Sequence, residues 1–253
     1  MRLLEVCCGN LDSVHAAVRG GAPRIELCRA LELDGLTPAW EDLRTARSLY
    51  PSLVIHVLIR PRPGDFCYSP AEVAQMASEV ETALSLGADG IAIGGLTPEG
   101  DVDVPAMETL LQTISDWTLA RSLAGDACHA ANDHHFIESK PTVVPVTFHR
   151  AFDVCRKPFE ALEDIISLGC NRILTSGQAP SADEGAERIR QLRVRAQGRL
   201  VLLPGGGVTP ANAHRILQLS GCDEIHASAS VTENGRKVTS ADTVSKILQA
   251  IND

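Results

Sequence analysis

The sequence has no apolar run approaching the roughly 20 residues that a membrane-spanning helix needs. It also lacks a basic surplus. With 23 Lys and Arg against 32 Asp and Glu, the formal charge is −9, which argues against a nucleic-acid partner. The opening MRLLEVCCGN has only a short apolar stretch and no small-residue cleavage pattern, so no signal peptide is expected and cytoplasm is the expected compartment. None of the 8 cysteines forms a C-x-x-C pair, which argues against zinc-ribbon and thioredoxin chemistry. They are scattered over 253 residues, a chain large enough to need no disulfide framework.

What the sequence does have is a repeat. Gly21-Ala22-Pro23-Arg24-Ile25, Gly87-Ala88-Asp89-Gly90-Ile91, Gly169-Cys170-Asn171-Arg172-Ile173 and Gly221-Cys222-Asp223-Glu224-Ile225 share the pattern Gly-[Ala/Cys]-x-x-Ile. Each closes a segment of helical period and opens a short apolar run. The glycine is expected to end the helix in the left-handed region, and the isoleucine to begin a buried strand. Four further runs, Leu3–Cys7, Leu53–Ile59, Val143–His149 and Leu200–Pro204, bring the strands to eight. Helix starts are expected at Thr37-Pro38, Thr209-Pro210 and Ser69-Pro70-Ala71-Glu72, the last also reading as a capping box. Eight βα units point to an α/β chain folded as a single (β/α)8, TIM-like barrel over residues 1–253, with its site at the C-terminal ends of the strands. The segment 120–141 breaks the rhythm. It is polar and reads as a helix-poor insertion; its Cys128, His129, His134 and His135 match no standard ligand spacing.

Strand side chains alternate, so placing the repeat isoleucines outward sends Glu26 and Cys28 inward from the second strand. On the same parity Gly94, Ser176 and Ser228 reach the rim with Cys28, and His226 lies one layer below. Odd strands contribute Glu5, Cys7, His56, Arg60, Thr147 and His149. Acids, imidazoles and a guanidinium inside a barrel are costly unless paired or used. Arg60-Pro61-Arg62-Pro63-Gly64-Asp65 follows the third strand; it is either a rigid connector or a loop whose Arg60 and Arg62 orient an anion. His149 is the expected general base, with Arg150 and Asp153 beside it on the loop after the fifth strand. The Gly205-Gly206-Gly207 turn, with Ser176 and Ser228, is either a tight turn or an anion cradle. Cys7 and Cys28 end neighbouring strands; as thiolates they suit a soft ion such as Cu(I), and as thiols they are inert packing.

The motifs LLEVCCGNLDSV, RIELC, GLTP, IRPRPGDFCYS, VTFHRAFDVC, ILTSG and PGGGVT, in this order, resemble the CutC copper homeostasis family. The resemblance runs from Leu3 to about Ser230 and is interrupted near 120–141. It implies a TIM-like barrel and a cytosolic copper protein, with Cu(I) bound at Cys7 and Cys28, and it brings no reaction with it. Two readings stay open. One is Cu(I) binding through Cys7 and Cys28. The other is an enzyme that handles a small anionic or phosphorylated metabolite with Glu5, Glu26, His56, Arg60, His149, Arg150 and Asp153. Arg62, Ser176, Gly205, Gly206, Gly207 and Ser228 would then bind the anion. No organic cofactor is indicated, and a homo-oligomer is expected only because many barrels associate.

Overall fold

All four repeat glycines have positive φ, at +87° for Gly21, +96° for Gly87, +83° for Gly169 and +71° for Gly221. Glycine adopts this conformation at little steric cost, so each turns the chain sharply from helix to strand. The computed structural model describes residues 2–128, 143–233 and 235–253. In chain order the elements are β1 Leu3–Cys8, α1 Leu11–Arg19, β2 Arg24–Leu27, α2 Trp40–Leu49, β3 Val54–Leu58 and α3 Pro70–Ser85. They continue with β4 Gly90–Ile93, α4 Val104–Cys128, β5 Val146–Phe148, α5 Pro158–Ser167, β6 Arg172–Thr175 and α6 Ala186–Ala196. The chain ends through β7 Val201–Pro204, α7 Ala213–Ser220, β8 Glu224–Ala227, a hairpin of β9 Ser230–Glu233 and β10 Arg236–Thr239, and α8 Ala241–Asn252.

The first eight strands are all parallel, in the order β7-β6-β5-β4-β3-β2-β1-β8. A parallel bridge between Gly205 and His226 joins the two edges, giving a nearly closed TIM-like barrel. The repeat isoleucines Ile25, Ile91, Ile173 and Ile225 are fully buried in the layer between sheet and helices, together with Cys170 and Cys222. Inside the barrel, Cys7, Cys28, Leu58 and Ala92 form a separate small cluster. Helices on the outside and residues of opposite parity on the inside follow directly from the period of two.

Three local expectations change. Ser69 caps α3 in a full capping box, as its sequence indicates. Thr37, however, caps no helix: α2 starts at Trp40, and the Thr37 hydroxyl donates to Glu79 while accepting from the Arg60 amide. Thr209 and Pro210 lie in a turn before α7, which begins at Ala213. Residues 120–128 belong to α4 and are helical, so that stretch is not a helix-poor insertion. His129, His134, His135 and the Cys128 side chain lie outside the described residues. No described helix is long and apolar enough to cross a membrane.

Candidate functional site

The register of β1 against both neighbours, Glu5 beside Arg24 and His226, Cys7 beside Glu26, stacks the inward side chains in levels. The lowest level is ionic. Arg24 Nε donates to Glu5 Oε2 at 2.5 Å, and Arg24 Nη2 to Glu224 Oε2 at 2.5 Å. Arg172 Nε donates to the same Glu224 oxygen across the barrel at 3.0 Å. Arg24, Arg172 and Glu224 are the residues just before three of the four repeat isoleucines. The repeat thus carries a charge floor that reading the motifs one by one does not disclose.

Glu5 is fixed by this floor. His56 Nδ1 stands 3.2 Å from its Oε2 and His226 Nδ1 2.8 Å from its Oε1. Burial works against its charge, but the hydrogen bonds from His226 and His56 and the field of Arg24 prevail and hold its pKa well below the ordinary carboxylate value. Glu5 and His56, expected at the mouth, therefore lie at the bottom of the lumen as partners in a polar network around Arg24.

Above the floor lies a sulfur pair. Cys7 Sγ is 3.6 Å from Cys28 Sγ and 3.7 Å from Glu26 Oε1. The ligand atoms of Cys7, Glu26 and His226 all lie within 4.8 Å of one another, the only such group that could hold a metal ion among the described residues. His226 was legible in the sequence as an inward residue but not as part of this group; only closure of β8 onto β1 brings it there. Burial opposes charge on His226, yet its contacts with Cys7 and Glu5 outweigh this and raise its pKa well above 6.5. The hydrogen bond with Cys28, then burial, push the Cys7 thiol well above its ordinary value, and burial raises Glu26. The group as it stands combines an imidazole that favours its charged form with a Cys7 thiol and a Glu26 carboxyl group that both resist ionisation.

A second group crowds the rim of β4. His149 leans across Gly94, where an added Cβ would meet its Nδ1 at 2.7 Å. Its Nδ1 accepts from the Ala151 amide at 3.2 Å, which leaves the ring proton on Nε2. Burial, then Arg60, push its pKa down to about 3. The expected general base is therefore a neutral imidazole and, at its free nitrogen, a donor. Arg60 does not present its fork to the lumen: Nη1 donates to the Leu33 and Gly35 carbonyls and Nη2 to that of Gly64. Its guanidinium lies 4.8 Å from the centre of the Phe66 ring, and Phe66 lies 5.2 Å from His149.

A third group surrounds the glycine turn. Asp153 accepts from the Thr175 hydroxyl at 2.5 Å and from the Ser176 and Gln178 amides, and it pairs with Arg150 Nε at 2.7 Å. Arg150 Nη2 reaches Ser176 Oγ at 3.2 Å, and its guanidinium carbon would lie 3.5 Å from a Cβ placed on Gly206. Gly206 and Gly207 have positive φ. Gly205 differs: it bridges to His226, its amide donates to Thr175, and a Cβ there would strike Leu174. Ser228 shares a hydrogen bond with Ser230 rather than Ser176. Arg62 turns away from the lumen into ion pairs with Glu72 and Asp65. The expected residues therefore sort into three groups, with Arg62 and Ser228 outside all of them.

The CutC family model matches residues 2–139 and 133–231, two stretches that meet inside the 120–141 segment. A Chromobacterium violaceum protein named CutC is 45% identical over 228 residues, covering 90% of this chain and 81% of that protein. A Bacteroides thetaiotaomicron protein of the same name is 42% identical over 225 residues, covering 89% and 80%. A solved Streptococcus agalactiae chain bearing the CutC name superposes with a TM-score of 0.75 at 28% identity, covering 90% of this chain and 99% of that one. Thermotoga maritima phosphoribosylanthranilate isomerase, at TM-score 0.54 and 13% identity over 100% and 99% of the chains, shares the fold alone.

Proposed function

The chain belongs to the CutC family, and from that premise we propose that it is a cytosolic copper-handling protein that takes Cu(I) as cargo on Cys7 and Cys28. The observation that carries this reading is the buried 3.6 Å approach of the two sulfurs, packed against Leu58 and Ala92 with Glu26 and His226 beside Cys7. Soft thiolates in such a setting select a soft monovalent ion over harder competitors. Loading requires both thiols to lose protons. His226 assists at Cys7, because its charge lowers the cost of the thiolate. Glu5 in turn fixes the imidazole from its other nitrogen, the arrangement that orients histidines beside metals. Reduced protein titrated anaerobically with Cu(I) against a competing chelator tests the reading. One equivalent should bind tightly and be lost in both Cys7→Ser and Cys28→Ser. Binding that survives either substitution refutes it.

A second reading, acid/base handling of a small anionic or phosphorylated metabolite, has its own support in Arg150 poised over Gly206 beside Ser176. Its test is phosphate binding that Arg150→Ala removes.

A further inference from the structure

Two arginines are buried in the described residues, and their surroundings differ. Arg24 has two carboxylates. Arg60, 4% exposed, has none among the described residues; its Nη atoms meet three neutral carbonyls, and its Nε makes no hydrogen bond of ordinary geometry among them. A buried cation with no anion is costly, and evolved interiors avoid it unless a ligand supplies the missing charge. Arg60 is not alone in being unsatisfied. Among the described residues, His149 Nε2 and the Tyr68 hydroxyl are also buried without a hydrogen-bond partner of ordinary geometry, the hydroxyl lying within reach of Arg60.

These three atoms belong to one neighbourhood. Arg60 follows β3 and His149 follows β5; the strand between them, β4, is followed by Gly94 and Gly95, which contribute no side chain to this rim. His149 leans over Gly94, and Tyr68 passes Gly95, where an added Cβ would still be 3.8 Å from its ring. Phe66 touches both Arg60 and His149. The Tyr68 hydroxyl lies close enough to Arg60 for the guanidinium to oppose the effect of burial, which pushes the phenol up to about 12.

We propose that the β4 rim, walled by Arg60, Tyr68 and His149, binds the carboxylate of a small molecule. The chemistry selects that class. All three free atoms carry protons to donate, so the partner is an acceptor. The site holds one uncompensated positive charge, which matches a monoanion and leaves a phosphate dianion in excess. The inference deepens the metabolite reading by naming a substrate group, but it uses neither Arg150 nor the glycine turn, and its test reads binding rather than turnover.

The test is calorimetric titration of the full chain with acetate and, separately, with inorganic phosphate, alongside nitrogen-15 NMR of the histidine rings. Acetate should bind at one saturable site and shift the His149 Nε2–H resonance. Tyr68→Phe, which removes only the hydroxyl, should weaken acetate at least about tenfold, as expected for one hydrogen bond to a charged group. Arg60→Met should abolish binding. Circular dichroism checks that each variant folds. No saturable acetate binding, phosphate binding more tightly at the same site, or acetate binding indifferent to Tyr68→Phe would each overturn the proposal. Phosphate binding that depends on Arg150, with no saturable acetate binding beside it, would overturn this proposal while leaving the broader metabolite reading in place.

Discussion

His226 Nδ1 meets Glu5 Oε1 at 2.8 Å, joining residues 221 positions apart in the chain. This contact turns a carboxylate that looks catalytic in the sequence into the anchor of an imidazole. It also couples the ionic floor to the sulfur pair above it, since the same ring touches Cys7. Disturbing the floor should therefore be felt in stability and in the geometry of the thiols.

Arg24→Met is expected to cost about 3–5 kcal/mol, because it removes the guanidinium from buried Glu5 and leaves Glu224 with Arg172 alone. Adding Glu5→Leu should restore part of that loss rather than add to it, since the two residues share one network. Urea unfolding of the single and double variants measures both effects. Equal and additive losses would show that the floor is not coupled.

His149 titrates in the folded chain at about 3, against about 6.5 when unfolded. Between those values the unfolded chain binds a proton that the folded one refuses. This group's contribution therefore makes stability fall as pH drops below about 6.5, by up to about 1.4 kcal/mol per pH unit, until about pH 3. His149→Gln should flatten that limb in unfolding curves recorded from pH 7 to 4. An unchanged slope would mean that the ring protonates freely.

Cys7 titrates well above its ordinary range, so Cu(I) must displace protons to bind. Apparent affinity should rise with pH through neutrality, by at most about a hundredfold per unit if both thiols release a proton. Competition titrations at pH 6, 7 and 8 read this slope directly. A flat response would place the copper elsewhere.

Gly94→Ala sets a Cβ 2.7 Å from the His149 ring, whereas Gly95→Ala finds its nearest neighbour at 3.7 Å. The first should cost about 1–3 kcal/mol as overpacking and displace the imidazole; the second should be close to neutral. Thermal unfolding of the pair makes the comparison, and similar losses would contradict the described placement of His149.

The barrel was legible because it is a local statement repeated. Each Gly-[Ala/Cys]-x-x-Ile segment fixes one helix end and one strand start, and strand parity then assigns Cys7, Glu26, Cys28 and His149 to the lumen without knowledge of any long-range contact. Helix starts were less legible. Thr37 and Thr209 precede proline as N-caps do, but Thr37 is drawn instead to Glu79 and the Arg60 backbone. Arg62 could not be distinguished from Arg60 by sequence, since both sit in one proline-rich loop. Only the folded loop shows Arg62 paired with Glu72, and Arg60 without an acid among the described residues.

The sequence by itself determined which side chains face inward, because alternation along a strand is a property of the backbone. Tertiary structure decided what those side chains meet. Arg24 and Glu224, 200 residues apart, and His226 and Cys7 become neighbours only when the last strand closes on the first. Closure sets the protonation of each group, because burial and the nearest charge, neither of which is encoded locally, fix where a proton rests.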